Sequence, residues 1–588
     1  MAKRSRSKAK QPPTPAPGRQ PQPATAPPRA STAVQKPTER RPWSAADQRG
    51  LLWAVALVAL VAVVVYLNAI PADFAFDDKL IQRDPRINGR ESFWSIFVTD
   101  YWYKYIGTSA DLYRPLTIAS YALNVMFAGL NSSAFHAVNV LLHAAVCALV
   151  VILIDALLRD RVLAVVSGLL FATHPIHTEA VTGIVGRAEI LTALFLLLAL
   201  YLHVRQYTLR GFGQALWLPV AGLAYFCALL SKETAIVGPG LLLVVDVVGR
   251  MRHKREVSEG GAARTPAQRG EPSIAHTAGV LALYIAIAVA YLWIRLLVVG
   301  VFLQKPPAKD YYLLFGHPLT TRLLTGFKVL AIYLKLLFFP VTLSADYSYR
   351  QVVLSESLDS LGPVIGMVAG LCLAGAFAYA VRARVLAIVF ALGFFAVAYS
   401  VVSNLVVPIG VLVAERLMYL PSVGFCAALA WLGVALSRRY APAFATGWRR
   451  RVPVSILVLV VGLYSLRTVI RDVDWRDQET LYAATVQDSP ECFAALFNYS
   501  AVLMQTSKRS DAQQLALDLL LRAYAIRQDH FPSLVNLSLM YLNRGELDKA
   551  RDFAQQGLKV KPNNNKIRGI LKTIDNRLQQ HEKAAPPD

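Results

Sequence analysis

Along this chain apolar residues do not alternate with polar ones; they gather into long runs separated by short charged links. A helix needs roughly 20 apolar residues to cross the hydrocarbon of a bilayer. Runs of about that length recur at residues 49–70, 134–157, 162–180, 187–204, 214–230, 234–249, 275–300, 361–381, 384–405, 418–437 and 452–470. The pattern predicts about eleven transmembrane helices. Two further apolar stretches, 114–129 and 322–340, carry charges and prolines in sequences such as YRPLTIASY and FKVLAIYLKLLFFP, which suit re-entrant or interfacial helices better than full crossings. From Trp475 onward the pattern turns polar and helical. The expected fold is all-α: a polytopic membrane domain followed by a smaller helical one.

Composition sharpens this picture. Of 588 residues 55% are hydrophobic and 17% charged, with a mean hydropathy of +0.41, and so much apolar surface cannot be covered by so little polar surface in water. The net charge of +23 does not point to nucleic acid, because the basic residues form short clusters between apolar runs. They read as topology signals. If neither 114–129 nor 322–340 crosses, the clusters RDR (159–161), RQYTLR (205–210), RMRHKREVSEGG (250–261), RAR (382–384) and RRYAPAFATGWRRR (438–451) share the side of the basic N-terminus, as the positive-inside rule requires. The N-terminus is then cytoplasmic and the C-terminus extracytoplasmic, periplasmic if the membrane is a bacterial inner one. Residues 1–45 are too poor in large apolar residues to fold and read as a disordered, basic, Pro-rich cytoplasmic tail. No small-residue cleavage site follows the first run, which therefore reads as a retained anchor. Of five cysteines only Cys492 lies in a polar region, so neither a disulfide framework nor a CxxC metal site is indicated.

The polar tail carries internal repeats. Phe531 to Pro562 fits the tetratricopeptide template, with Leu537, Ser538, Tyr541, Gly545, Ala550, Gly557, Leu558 and Pro562 in its signature slots. Small residues are needed at Ser538, Ala550 and Gly557 because two helices approach closely there, and Pro562 ends the second helix. Phe493 to His530 repeats the pattern with Ser500, Ala516 and Ala523, and carries extra residues near TSKRSDA. DQETLYAATVQDSP reads as a lone second helix of a preceding repeat, and Lys566 to Gln580 as a capping helix. So short an α-solenoid normally offers a concave surface to a peptide or another protein; the plainer expectation is that it only packs on the membrane domain.

The motifs, taken in order, resemble a known family. FDD after the first run, YRPLTIASYALN, FATHPIHTEAVTGIVGRAEIL, LLSKETA, SADYSYR and AERLMYLPSVGF, followed by tetratricopeptide repeats, are similar to the transmembrane-and-tetratricopeptide O-mannosyltransferases, relatives of the protein O-mannosyltransferases with the GT-C fold. The resemblance covers essentially everything after residue 50. It implies a GT-C-like membrane domain over 46–472 and an extracytoplasmic repeat domain over 473–582. It also implies an enzyme that takes a sugar, mannose, from a polyprenyl (dolichyl-like) phosphate carrier and places it on a protein hydroxyl outside the cytoplasm, with the repeats meeting the protein or peptide acceptor. The family's acidic pair in the first outer loop is matched by Asp77 and Asp78.

Such a transfer, a single displacement that inverts the sugar carbon, needs a base for the acceptor hydroxyl and cations for the leaving phosphate. A phosphate departs without protonation, so the two-carboxylate device of glycosidases is not required. Asp77 is the expected base. Asp78 either raises its proton affinity by like-charge repulsion or grips sugar hydroxyls, and both reach one cavity only if the backbone turns between them. Arg187, Lys232 and Arg416 stand at outer helix ends and are the expected phosphate contacts, with Arg114 a weaker candidate. Glu189, Glu233 and Glu415, each adjacent or near in sequence, are expected sugar or cavity contacts, with simple local ion pairs to those cations as the alternative. His174, His177 and Glu179 have a metal-like spacing, but Pro175 disturbs the helix that would align them, so no metal is expected; hydrogen bonding to the sugar or to the first-loop carboxylates suits them better. The aromatic stretch 93–107 fits an amphipathic helix at the outer interface, or an apolar groove for the lipid tail. The competing function is a membrane-anchored scaffold whose repeats recruit partner proteins. Charges buried among spans argue against an inert anchor, and a transporter is disfavoured because no inverted repeat is detectable.

Overall fold

The computed structural model describes residues 9, 11–14, 45–103, 111–206, 212–258, 274–301, 314, 316–440 and 451–584. The chain divides into two units, Met1–Ser44 and Ala45–Asp588. The expected basic tail lies almost wholly outside the described residues, as do parts of the basic clusters at 205–210, 250–261 and 438–451 and of the aromatic stretch 93–107. All the described helices belong to the second unit.

Every regular element among the described residues is helical. In chain order these are α1 (Ala45–Val65), the short α2 (Lys79–Arg83), α3 (Pro115–Ala128), α4 (Ser132–Leu158), α5 (Arg161–Thr173), the single turn α6 (Thr178–Val181), α7 (Arg187–Gln206), α8 (Phe212–Ser231), α9 (Gly238–Ser258) and α10 (Ile274–Val299). They continue with α11 (Leu319–Phe338), α12 (Leu361–Ala383), α13 (Leu386–Ser400), α14 (Ser422–Arg439) and α15 (Val452–Asp474). The tail holds α16 (Gln478–Asp488), α17 (Phe493–Gln505), α18 (Ala512–Ile526), α19 (Phe531–Arg544), α20 (Leu547–Val560) and α21 (Asn565–Ala584).

All eleven expected crossings contain a helix. Among the described residues seven helices, α1, α4, α7, α9, α10, α12 and α15, form segments long and apolar enough to span a bilayer, and the chain is an integral membrane protein. The other four crossings are held by α5, α8, α13 and α14. The clearest departure is at 162–180, where the helix stops at Thr173. Pro175 has no amide to donate and pushes His174 out of the helical region, to φ −67° and ψ 122°. The chain then turns through short 3-10 segments, and residues 171–184 are buried without exception. Irregular backbone at such depth is tolerable because protein surrounds it and satisfies its polar groups.

The core gathers around α4, which packs against α1, α5 and α7, while α7 lies along α8 and α14 bridges α5 and α13. Exposed Leu52, Trp53, Leu60 and Val64 on α1, and Leu361, Leu371 and Tyr379 on α12, leave apolar faces toward lipid. Helix ends meet at two opposite poles. At one, Arg161 Nε bonds Asp155 at 2.8 Å, Arg438 Nη1 bonds Asp160 at 2.6 Å, and Arg252 Nη1 donates to the Leu157 carbonyl at 2.7 Å. These contacts join three of the basic clusters. The other pole carries the carboxylates and cations of the candidate site.

In the tail, α17 pairs with α18, α19 with α20, and α21 closes on α20. Ser538 Oγ donates to the Ala550 carbonyl at 2.9 Å where α19 meets α20, and Gly545 ends α19 in the left-handed region at φ +77°. A Cβ on Gly557 would stand 3.2 Å from Ile567 on α21. The extra residues near TSKRSDA form the longer link between α17 and α18.

Close approach also sets the α11 and α12 pair: a Cβ on Gly366 would stand 1.7 Å from the Phe327 carbonyl oxygen, whereas one on Gly375 would meet nothing within 4 Å. Gly366→Ala is expected to force these helices apart and destabilise the protein by about 1–3 kcal/mol, while Gly375→Ala leaves it unchanged. Thermal unfolding of both variants in detergent checks this.

Candidate functional site

The first loop turns where the two aspartates need it to. Phe76–Asp78 forms a 3-10 turn entered from extended Ala75, and Phe76 itself sits at φ +53°. The turn sends the two side chains different ways. Asp78, buried, accepts from the Val185 amide at 2.9 Å through one oxygen and from the Ala75 amide at 3.4 Å through the other. Asp77 is half-buried, and its side chain has no hydrogen bond or ion pair to another described residue. Its proton affinity is raised by burial; the Arg416 charge opposes this, and the Asp346 and Glu179 charges add to it.

Asp77 opens onto a connected set of charges. Arg416 holds Glu179 through both its backbone amide, at 2.8 Å, and its guanidinium. Lys232 pairs with Glu189, and Arg114 pairs with Glu233, Nε to Oε2 at 2.9 Å, beneath the Tyr101 ring. Arg416 also feels Asp77 and Glu189. Carboxylates outnumber cations here, so each cation already has a partner. Arg416 keeps 24% of its side chain exposed, and a guanidinium has five donors, which leaves it able to take a second anion.

None of these pairs is the one suggested by adjacency. Lys232 turns from Glu233 to Glu189, Arg416 from Glu415 to Glu179, and Arg187 takes no carboxylate. Its guanidinium, with no exposed surface, donates to Asn139 Oδ1 at 2.7 Å, Asn124 Oδ1 at 3.1 Å and the Phe135 and Ser120 carbonyls at 3.0 and 3.2 Å. It lies over the Tyr121 and Phe135 rings. Arg187 thus ties α3, α4 and α7 together from behind the charge network, a position with no open approach for a phosphate.

Glu415 is buried. Its Oε1 accepts from the Ser344 amide at 2.5 Å and Tyr347 Oη at 2.7 Å, which anchors the loop that carries Asp346. His174 accepts from the Ile176 amide at 3.2 Å and its other nitrogen lies 2.9 Å from the Leu337 carbonyl; His177 Nε2 lies 2.7 Å from Ser422 Oγ. Their polar contacts bind the buried turn to α11 and α14, and neither reaches the first-loop carboxylates. Among the described residues no three His, Cys, Asp or Glu side chains converge as a metal would require.

Asp346, in the loop anchored by Glu415, also acts on the site. It accepts from the Ser348 amide at 2.7 Å and its charge acts on Asp77. The signal was present in SADYSYR, an aspartate in a loop of the face that holds Asp77. The aromatic stretch is a 3-10 segment, Phe93–Val98, with Trp94 and Val98 exposed, which fits an interfacial belt.

No protein-family model matches the chain. It is similar to human protein O-mannosyl-transferase TMTC1, 31% identical over 496 residues that make up 78% of this chain and 54% of the relative. It is also similar to Xenopus laevis protein O-mannosyl-transferase tmtc2, 29% identical over 524 residues, 78% of this chain and 61% of the relative, and to human protein O-mannosyl-transferase TMTC3, 27% identical over 531 residues, 86% and 55%. The chain spans little more than half the length of these curated relatives. The resemblance drawn from the motifs is the one they carry.

Burial raises Asp78 to about 7 against the backbone amides that oppose it, and Glu415 to about 8 against the opposing Arg471 charge. Both groups hold protons more tightly folded than unfolded, so stability falls as pH rises from the ordinary carboxylate range, about 4, through 7 and 8. Glu415→Gln, whose amide oxygen can keep both contacts, is expected to flatten the upper part of this decline and to exceed the parent protein in stability above pH 8. Unfolding midpoints across pH read this directly.

Proposed function

We propose that this chain, like the relatives it resembles, is a membrane glycosyltransferase that moves mannose from a polyprenyl-phosphate carrier to a hydroxyl of a protein acceptor on the extracytoplasmic face. The observation that carries the reading is Asp77: a half-buried carboxylate without a hydrogen bond or ion pair among the described residues, near enough to Arg416, Asp346 and Glu179 to feel their charges. The acceptor hydroxyl attacks the anomeric carbon while Asp77 takes its proton. The bond from that carbon to the phosphate oxygen breaks on the opposite side, which inverts the centre, and the polyprenyl phosphate leaves as an anion stabilised by Arg416 and Lys232. Burial, with smaller contributions from the Asp346 and Glu179 charges, keeps Asp77 basic enough to accept the proton. Asp78 supports the turn, and Arg187 supports the wall behind it. No step requires a metal.

In this reading residues 46–472 form the catalytic membrane domain, the tail from 473 to 582 is a tetratricopeptide-type acceptor-binding domain, and the N-terminus is cytoplasmic. The poles fit such an orientation, because three basic clusters gather at one and the carboxylates of the candidate site at the other.

The enzyme reconstituted in lipid nanodiscs with polyprenyl-phosphate mannose and an acceptor protein is expected to transfer sugar. Asp77→Asn should lower the rate by about 10²–10⁴ with an unchanged unfolding midpoint; full activity in that variant would remove Asp77 from the role of base. The base works unprotonated and its proton affinity is raised, so the acid limb of the rate profile should lie above the ordinary carboxylate value of about 4.

Arg90→Cys and Asp548→Cys, each at an exposed position in a Cys372→Ser background, should both react with a membrane-impermeant maleimide from the side opposite the N-terminus. Labelling from different sides would break the topology on which the mechanism rests.

A further inference from the structure

The tail does more at the membrane domain than hang from α15. Its first two helices grip the two loops that carry Asp77 and Asp346. Ala75 and Phe76, just before Asp77, and Ala345, just before Asp346, pack into one apolar cluster with Trp475 and Leu481. The Phe76 ring meets Trp475 and Tyr482, each with centroids 6.3 Å apart, and the Asp73 amide donates to the Arg476 carbonyl at 2.8 Å. On the second loop, Ser489 Oγ donates to Ser344 Oγ at 2.8 Å. The Phe493 amide donates to the Tyr349 carbonyl at 3.4 Å, and Arg527 lies over both the Tyr349 and Phe493 rings, 5.7 and 5.8 Å from their centroids.

The backbone gives these contacts their meaning. Phe76 at φ +53°, Tyr349 at +26° and Arg350 at +77° are side-chain-bearing residues in the left-handed region, which persists at such residues only where surrounding structure over-determines it. The strained residues flank both acids, and tail residues pack directly on Phe76 and Tyr349. We infer that α16 and α17 form a clamp that fixes the two acid-bearing loops relative to each other, with Phe76, Tyr349, Trp475 and Phe493 as positioning residues. The repeat tail is then part of the catalytic face as well as a place for acceptor to bind.

The kinetic side of this inference rests on Asp77 acting as the base, but the clamp itself can be read without activity. In full-length protein in nanodiscs, Phe493→Ala should speed amide hydrogen exchange in both 74–79 and 344–351 by roughly tenfold or more, while Phe493→Tyr restores protection. The same Ala variant should lose roughly tenfold or more in kcat, with little change in KM for donor. Its acid limb should move to lower pH as water reaches Asp77 among Arg416, Asp346 and Glu179. Independently, Ser348→Cys should form a disulfide with native Cys492 when a copper(II)–phenanthroline oxidant with dioxygen takes up the two electrons, because Ser348 Oγ and Cys492 Sγ lie 3.8 Å apart, and the cross-linked enzyme should keep its full rate.

Unchanged exchange in both loops of the Phe493→Ala protein, or inactivation by the cross-link, would overturn the clamp. If the parent protein transferred no sugar, the proposed reaction would fail, yet exchange and cross-linking would still decide whether the tail holds the loops.

Discussion

Charges buried at the ends of membrane helices must be paired, and around the candidate site of this protein the pairs are made across the bundle rather than between neighbours in sequence. Arg416 reaches Glu179, Lys232 reaches Glu189 and Arg114 reaches Glu233, so three helix ends and the turn between α5 and α7 are stitched into one wall. Removing one partner of such a pair leaves an uncompensated charge in a poorly solvated place, at a cost of about 3–5 kcal/mol. The network therefore determines geometry before it determines chemistry. Among the described residues it also leaves Asp77 without a bonded partner.

Two neighbouring aspartates with opposite fates follow from one local conformation. A strand would have pointed them to opposite faces of a flat segment. The 3-10 turn after Phe76 instead buries Asp78 against the amides of Ala75 and Val185 and leaves Asp77 at the edge of the charged wall. Asp78 restrains the loop, and the like charges that act on Asp77 come from Asp346 and Glu179, brought in from distant parts of the chain.

How much of this could be read from sequence depended on range. Apolar periodicity located the helices because burial in lipid is a property of a segment by itself, and Pro175 announced the break that the structure shows. The small residues at Ser538, Ala550 and Gly557 were legible for the same reason: a close helix approach leaves its mark at the position concerned. Partner choice was not legible. Arg187 and Arg416 look alike at their helix ends, yet one is enclosed by Asn124, Asn139 and aromatic rings while the other stays partly open, and only long-range packing separates them. The hold of α16 and α17 on the loops at 73–78 and 344–351 was equally invisible, since Trp475 and Phe493 mark in the sequence only where the polar tail and its first full repeat begin.

The cross-bundle pairs also bear on how such a chain is made. Glu179 and Arg416 are separated by 237 residues, and Asp160 and Arg438 by 278. At a synthesis rate of about 5–20 residues per second, the first carboxylate waits roughly 12–47 s before its counter-ion emerges. Were the turn to take its final buried place in that interval, Glu179 would have no Arg416 to neutralise it. The early helices must therefore remain loosely assembled, hydrated or sheltered by the insertion machinery, and the closing of the wall becomes a late event in biogenesis, after α14 has been delivered.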